Sequence, residues 1–146
     1  MRIESILNYR PVSDRITSSG QPHGKEFRTI AENGFLNIIN LAMPDSENAL
    51  DDEGYRITAL GMSYFHIPVP FDTPLPRHLY QFCQLMEVLK DEKVWVHCAK
   101  NYRASAFLYQ YYRLILKKDE ASSLAVMLPE WQPNKVWREF MLIDSI

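Results

Sequence analysis

The chain has 146 residues, a length typical of one domain, and 47% of them are hydrophobic against 23% charged, which excludes a disordered or fibrous protein. Sixteen Lys and Arg residues against eighteen Asp and Glu give a formal net charge of −2. We therefore expect no bulk attraction to nucleic acid or to a membrane surface.

No apolar run approaches the roughly 20 residues of a membrane span, and the opening MRIESILNYR lacks the layout of a signal peptide. We therefore expect a cytoplasmic protein. The two cysteines, Cys83 and Cys98, lie in different kinds of local sequence. Their spacing indicates neither a disulfide framework nor a metal site.

The first third of the chain alternates between strand-like and helix-like segments. Residues 15–19 predict a short strand, and residues 25–32 predict a helix that ends at Asn33 and Gly34. The segment FLNIINL, at residues 35–41, has the branched and aromatic side chains typical of a buried strand.

The alternation continues through the middle of the chain. Three cap candidates at residues 45–47 predict the start of a second helix, which reaches to about Leu60 and is closed by Gly61. Residues 63–69 predict a second core strand. The prolines between Val69 and Pro76 predict an extended loop, because proline cannot pair within a central strand.

The second half begins with apolar residues at helical spacing, which predict an amphipathic helix over residues 77–90 that buries Cys83. VWVHC, at residues 94–98, predicts a buried strand, and residues 104–117 predict a central helix because they are apolar almost all round. From residue 120 onwards we expect helix with a break at 129–134. Trp131 and Trp137 flank the last helix and are expected to lock it to the core.

Strands that alternate with helices imply a mainly parallel sheet with helices on both faces. The predicted fold class is therefore α/β, a three-layer sandwich with a mainly parallel sheet of four to five strands, in a single domain over residues 1–146.

Cys98 stands at the junction between a predicted strand and a predicted helix, where ligands of α/β sheets bind. A helix N-terminus has unpaired N–H groups and favours anions, and it stabilises a thiolate, as does a nearby guanidinium such as that of Arg103. We therefore expect the loop 99–102 and Arg103 to hold a tetrahedral oxyanion over the Cys98 sulfur. Tyr102 is expected to line the entrance.

The segment VHCAKNYRAS, at residues 96–105, resembles the active-site loop of cysteine-dependent tyrosine and dual-specificity phosphatases. In that family His-Cys is followed by five residues, then Arg and Ser or Thr. SSGQP at 18–22, FLNIINLA at 35–42 and YFHIPVPFDTP at 64–74 are similar to pieces of a bacterial branch of phosphatase-like domains. The resemblance implies a protein tyrosine phosphatase-like fold and hydrolysis of phosphate monoesters through a phosphocysteine intermediate.

The resemblance also implies a role for each candidate residue. Cys98 is the nucleophile, Arg103 binds the phosphoryl oxygens, and Ser105 helps the thiolate leave. Asp72 protonates the leaving oxygen, and His97 orients the loop by hydrogen bonding. The other phosphate-binding residues are Ala99, Lys100, Asn101 and Tyr102. The chemistry needs no metal or cofactor; the implied partners are a phosphorylated protein or small phosphate ester, with phosphate, sulfate or vanadate as ligands.

The spacing departs from the phosphatase pattern, because only four residues separate Cys98 from Arg103. Aligned from Cys98 without a gap, Ala104 takes the place of the arginine, and one helical position turns a side chain by about 100°. We therefore expect Arg103 to reach an anion only through a rearranged loop. If the short loop impairs catalysis, the alternative is a pseudophosphatase that binds oxyanions and acts as an interaction module.

A four-residue spacing is also similar to the loop of rhodanese-like sulfurtransferases. It implies, as a further alternative, a persulfide at Cys98 that is passed to an acceptor thiol. The rest of the chain lacks the other motifs of that family, namely an early strand ending in Asp-x-Arg and a Gly-His-Ile segment.

Overall fold

The computed structural model describes all 146 residues and shows a five-stranded sheet with helices on both faces. The strands are β1 (Arg10–Pro11), β2 (Ile16–Ser19), β3 (Asn37–Asn40), β4 (Ser63–His66) and β5 (Val94–His97). The helices are α1 (Glu26–Glu32), α2 (Glu53–Ala59), α3 (Pro76–Val88), α4 (Tyr102–Gln110), α5 (Glu120–Leu124) and α6 (Lys135–Phe140). A 3₁₀ turn covers Ile3–Ser5, and a π-helical stretch, Tyr111–Ile115, extends α4.

The strand order is β1-β2-β5-β3-β4, with β5 in the centre and only β1 antiparallel to its neighbour. The last residues of the four parallel strands are in register: His97 aligns with Ser19 on one side and with Asn40 on the other, and Asn40 aligns with His66. The loops that follow these strands therefore leave the sheet at one edge. The α/β prediction is confirmed.

Two hydrophobic layers cover the sheet, because successive residues of a strand point to opposite faces. Ile38 and Trp95 pack with α1 and α2 on one face. Ile39 and Val96 pack with α3, α4 and α6 on the other. The sheet is therefore buried on both sides, as its continuous apolar runs predict.

Helix α4 lies at the centre of the larger layer. Every residue from Arg103 to Gln110 is buried, in agreement with the predicted central helix. Phe107 contacts the rings of Phe82 and Phe140. The helix begins at Tyr102, two residues earlier than predicted, and this shift decides where Arg103 lies.

Two sequence predictions are wrong in their bounds. Helix α2 starts at Glu53, and residues 45–52 form turns and irregular backbone instead of helix. In this arrangement Asn48 bonds the loop after β5, and Glu53 bonds His97. The predicted second core strand is β4, a shorter strand at the edge of the sheet with partly exposed residues. Pro68 and Pro70 follow it and cannot continue the backbone pairing.

None of the helices is both long and apolar enough to span a bilayer.

Candidate active site

Cys98 directly follows the central strand β5 and lines a cavity of about 230 Å³. Its side chain is fully buried. The cavity is also lined by Phe71, from the loop after β4, and by four residues of the predicted site: Ala99, Lys100, Tyr102 and Arg103. The structure thus brings together the predicted nucleophile, most of its loop and the predicted phosphate-binding arginine.

Asn101 makes the short loop possible. Its backbone is left-handed, with φ at 69°, and it precedes the first residue of α4. Its buried side-chain amide donates to the carbonyl oxygen of Asn8 at 2.9 Å and to Oγ of Ser18 at 3.0 Å. Asn and Gly tolerate this conformation best. The two hydrogen bonds tie the amide to Asn8 and to β2, and Asn101 does not line the cavity.

Other segments hold the loop by its carbonyl groups. The carbonyl oxygen of Ala99 accepts from the Gln21 N–H and from the Asn48 side chain, both at 3.0 Å. Because a trans peptide directs its N–H opposite to its C=O, the N–H of Lys100 points away from these two partners. A Cβ on Gly20 would lie 2.7 Å from the same oxygen, so this close approach requires glycine.

Arg103 lies in the cavity despite the short spacing, because the left-handed residue at 101 lets α4 begin at once. The arginine is 6% exposed. Its Nη1 donates to the carbonyl oxygen of Val69 at 2.9 Å, and its guanidinium lies 5.7 Å from the ring centroid of Phe71. Its Nε is buried without a hydrogen-bond partner, and the residue makes no salt bridge. The positive charge in this cavity is therefore uncompensated.

A buried polar network lies behind the nucleophile. Nε2 of His97 is 2.6 Å from Oε2 of Glu53, and Nδ1 of His97 is 3.1 Å from the carbonyl oxygen of Cys98. The other carboxylate oxygen, Oε1, accepts from Nε2 of Gln21 at 2.7 Å. Gln21, Glu53 and His97 are all buried. The network connects the loop after β2, the first turn of α2 and the end of β5.

Ser105 and Asp72 do not line the cavity. The Ser105 hydroxyl donates to Oδ1 of Asn101 at 3.3 Å and accepts from the Leu128 N–H at 2.9 Å. Asp72 follows a cavity residue, Phe71, but lines a neighbouring groove that also contains Glu139. Their catalytic roles stay predictions, and each needs a side chain to turn toward Cys98.

An aromatic cluster forms one side of the cavity. Tyr102 lines the cavity as predicted, and Trp131 is stacked on it with ring centroids 5.1 Å apart and planes within 3°. Trp137 is fully buried, and its indole N–H donates to the carbonyl oxygen of Phe71 at 2.9 Å. The segment 131–140 therefore supports the cavity wall as well as closing the core.

Cys83 contrasts with Cys98. It lies on the buried face of α3, where desolvation, together with the charge of Glu87, raises the pKa of its thiol to about 12. A thiol in this setting stays protonated and unreactive.

Comparison with known proteins identifies the chain's relatives. No family model matches the sequence. A beta-lactamase hydrolase-like protein of Xylella fastidiosa is 32% identical over 120 residues, which are 77% of this chain and 27% of that protein. The chain therefore spans about a quarter of the length of the curated relatives it matches. A crystal structure of a DUF442 phosphatase candidate from Shewanella putrefaciens CN-32 has a TM-score of 0.84 at 31% identity, covering 94% of this chain and 88% of that one.

The chain belongs to the DUF442 family. More distant structures share its fold: Tk-PTP has a TM-score of 0.76 at 19% identity and covers 92% of this chain and 93% of its own. This shared fold confirms the predicted resemblance of the chain to the cysteine-dependent tyrosine and dual-specificity phosphatases.

Sequence reasoning missed several residues that build this DUF442 site. Glu53 and Asn48 lie in a segment interpreted as an ordinary helix start, and Gln21 belongs to SSGQP, which was noted only through the resemblance. A signal existed for Glu53 alone, since a carboxylate at an otherwise buried position requires a partner.

Proposed function

We propose that this DUF442 protein hydrolyses phosphate monoesters with Cys98 as the nucleophile, within one domain formed by residues 1–146. One observation carries the proposal: Arg103 is a buried cation with no carboxylate partner and an unpaired Nε, and it lines the same cavity as Cys98. A buried charge without a counter-charge is costly, so the cavity is completed by an anion. A phosphoryl group offers planar oxygen pairs that a guanidinium binds with two hydrogen bonds.

The proposed reaction has two steps. The Cys98 thiolate attacks phosphorus, so that an S–P bond forms while the ester P–O bond breaks, and Asp72 gives its proton to the leaving oxygen. Water then attacks phosphorus and gives a proton to the Asp72 carboxylate, while the S–P bond breaks. Inorganic phosphate leaves, the thiolate is restored and Asp72 is again protonated. Arg103 and the loop 99–102 hold the three phosphoryl oxygens through both steps.

The proposed substrates are phosphate esters of a protein or a small molecule. Two structures with the same fold support this class, since P. aeruginosa TpbA was solved with phosphotyrosine and PTPMT1 with PI(5)P. The rings of Phe71 and Tyr102 at this cavity suit an aryl ester, and Lys100 adds a positive charge.

The decisive test is phosphate release from p-nitrophenyl phosphate by the wild type, Cys98→Ala and Cys83→Ala. The control variant makes the same change at a buried cysteine outside the cavity. We expect release by the wild type and Cys83→Ala and none by Cys98→Ala. Undiminished release by Cys98→Ala would overturn the proposal.

Asp72 as the acid is tested separately by the pH profile of Asp72→Asn. If Asp72 protonates the leaving oxygen, Asp72→Asn should hydrolyse an ester with a poor leaving group about 10²–10⁴-fold more slowly than the wild type does. The same variant should lose little rate with an activated aryl ester. Equal losses with both esters would exclude the assignment. Glu139→Gln, in the same groove as Asp72, is the matched control.

Sulfur transfer is the second candidate, favoured by the four residues between Cys98 and Arg103 and by the modest cavity of about 230 Å³. It predicts thiocyanate from thiosulfate and cyanide, with no phosphate release. A chain that binds vanadate but performs neither reaction would be an oxyanion-binding module.

A further inference from the structure

We propose that an apolar groove formed by β1, α5 and the segment 127–133 binds a monocarboxylate with an aliphatic chain, and that Arg10 is the partner of its carboxylate. This α5 groove is separate from the active-site cavity, because the two share no lining residue. The proposal therefore does not depend on the proposed hydrolysis.

The size and lining of the α5 groove suit an apolar ligand. Its volume is about 530 Å³, within the range of about 300–1,000 Å³ that is typical of small-molecule sites. Seven of its ten lining residues are hydrophobic, among them Leu124, Leu128 and Met141. Leu124 is 46% exposed. An aliphatic chain in the groove would remove these side chains from water, which favours binding.

Arg10 is the one charged residue that lines the α5 groove. The side chain is partly buried and forms no salt bridge. Its Nη2 donates to the carbonyl oxygen of Ala125 at 2.6 Å, whereas its Nε is buried without a hydrogen-bond partner. The guanidinium therefore carries an uncompensated charge beside apolar side chains, and it keeps donors for a ligand.

The charge of the α5 groove favours a carboxylate as the head group. A carboxylate has one negative charge and two oxygens, which accept two parallel hydrogen bonds from one guanidinium. A phosphate monoester carries about 1.5–2 negative charges at pH 7, and no second cation lines the groove to balance the excess. A single arginine at an apolar groove therefore matches an aliphatic monocarboxylate.

Trp131 provides a reporter of binding, because its ring lines the α5 groove. The same ring is stacked on Tyr102, which lines the active-site cavity, so the groove and the cavity adjoin at this pair. Trp131 is partly exposed, whereas Trp95 and Trp137 are fully buried. We therefore expect a ligand in the groove to change the emission of Trp131 alone.

Equilibrium dialysis with radiolabelled decanoate and decanol tests the proposal, since the two probes share a chain length and differ in charge. We expect the wild type to bind decanoate at least about 10-fold more tightly than decanol. Arg10→Met should bind decanoate no more tightly than decanol, and Arg10→Lys should restore part of the difference. Saturation with decanoate should change the tryptophan emission of the wild type but not that of Trp131→Phe.

Three further variants locate the bound decanoate. Leu124→Glu places a negative charge in the α5 groove and should weaken decanoate binding by at least about 10-fold. Leu36→Glu is the matched control, because Leu36 is 47% exposed and does not line the groove, and it should bind as the wild type does. Arg103→Met should also bind decanoate as the wild type does, since Arg103 lines only the active-site cavity.

Equal affinities of the wild type for decanoate and decanol, or unchanged decanoate binding by Arg10→Met, would overturn the proposal. Loss of binding in Arg103→Met would place the carboxylate in the active-site cavity and would refute it as well. A wild-type dimer that Leu124→Glu dissociates would show that a second copy of the chain covers the groove, again against the proposal. A wild type that binds decanoate but releases no phosphate would contradict only the proposed hydrolysis.

Discussion

Phosphate or vanadate should stabilise the wild-type chain against heat, and Arg103→Met should abolish that stabilisation. Within the protein the guanidinium makes one hydrogen bond, from Nη1 to the carbonyl oxygen of Val69, so Nε and Nη2 have no hydrogen-bond partner there, and we expect an anion to supply two acceptors. Two charge-assisted hydrogen bonds at about 1.5–3 kcal/mol each correspond to a loss of at least about 10²-fold in affinity when they are removed.

Thermal unfolding with and without anion measures this effect. At an anion concentration of about 100 times Kd, the wild type gains about 2.7 kcal/mol. For a chain of this size that gain raises Tm by roughly 5–10 °C. Arg103→Met should show no such rise, and its Tm without anion should equal or exceed that of the wild type, because a buried cation without a counter-charge has been removed. Arg56→Met, at an exposed arginine outside the cavity, should respond to anion as the wild type does.

Two results would refute this reasoning. An equal rise in Tm for Arg103→Met would show that the anion binds elsewhere. A large loss of stability in Arg103→Met without anion would show that the arginine is mainly a structural residue held by Val69.

Three further predictions concern the scaffold. Trp137→Ala removes a fully buried side chain and should lower the free energy of unfolding, measured in urea, by about 3–5 kcal/mol. Val88→Ala, at a position 79% exposed, should change it by less than about 0.5 kcal/mol. Similar losses in the two variants would contradict the burial of Trp137 in the core. Asn101→Ala should lower the free energy of unfolding by about 1 kcal/mol more than Asn101→Gly does, because φ is 69° at this residue. Equal losses in the two variants would show that the left-handed backbone is not the cause. Burial raises the pKa of Cys83 from 9.0, and that of Tyr64 from 10.0, to about 12. Because the folded chain then keeps protons that the unfolded chain releases, the free energy of unfolding should fall as pH rises from 9 to about 12. A constant urea midpoint over that range would contradict this.

The local sequence was enough to predict the fold class and the centre of the site. The apolar run of β5, the His-Cys pair and the apolar pattern of α4 follow one another directly, so the strand, loop and helix were readable from neighbouring residues. Hydrophobic periodicity is a local property, and parallel pairing follows once strands alternate with helices. The position of Cys98 beyond the central strand could therefore be predicted.

Contacts between distant segments decided the position of Arg103, the start of α2 and the hydrogen bonds around the site. Asn101 holds its left-handed backbone while bonding Asn8, 93 residues away, and that turn is what admits Arg103 to the cavity. Glu53 meets His97 across 44 residues, which also shifts the start of α2. Such hydrogen bonds form only between elements that the sheet has already brought together, and no local pattern specifies them. The sequence alone therefore determined that Cys98 and its loop lie beyond the central strand, and the packed fold determined which other residues join them and which way their side chains face.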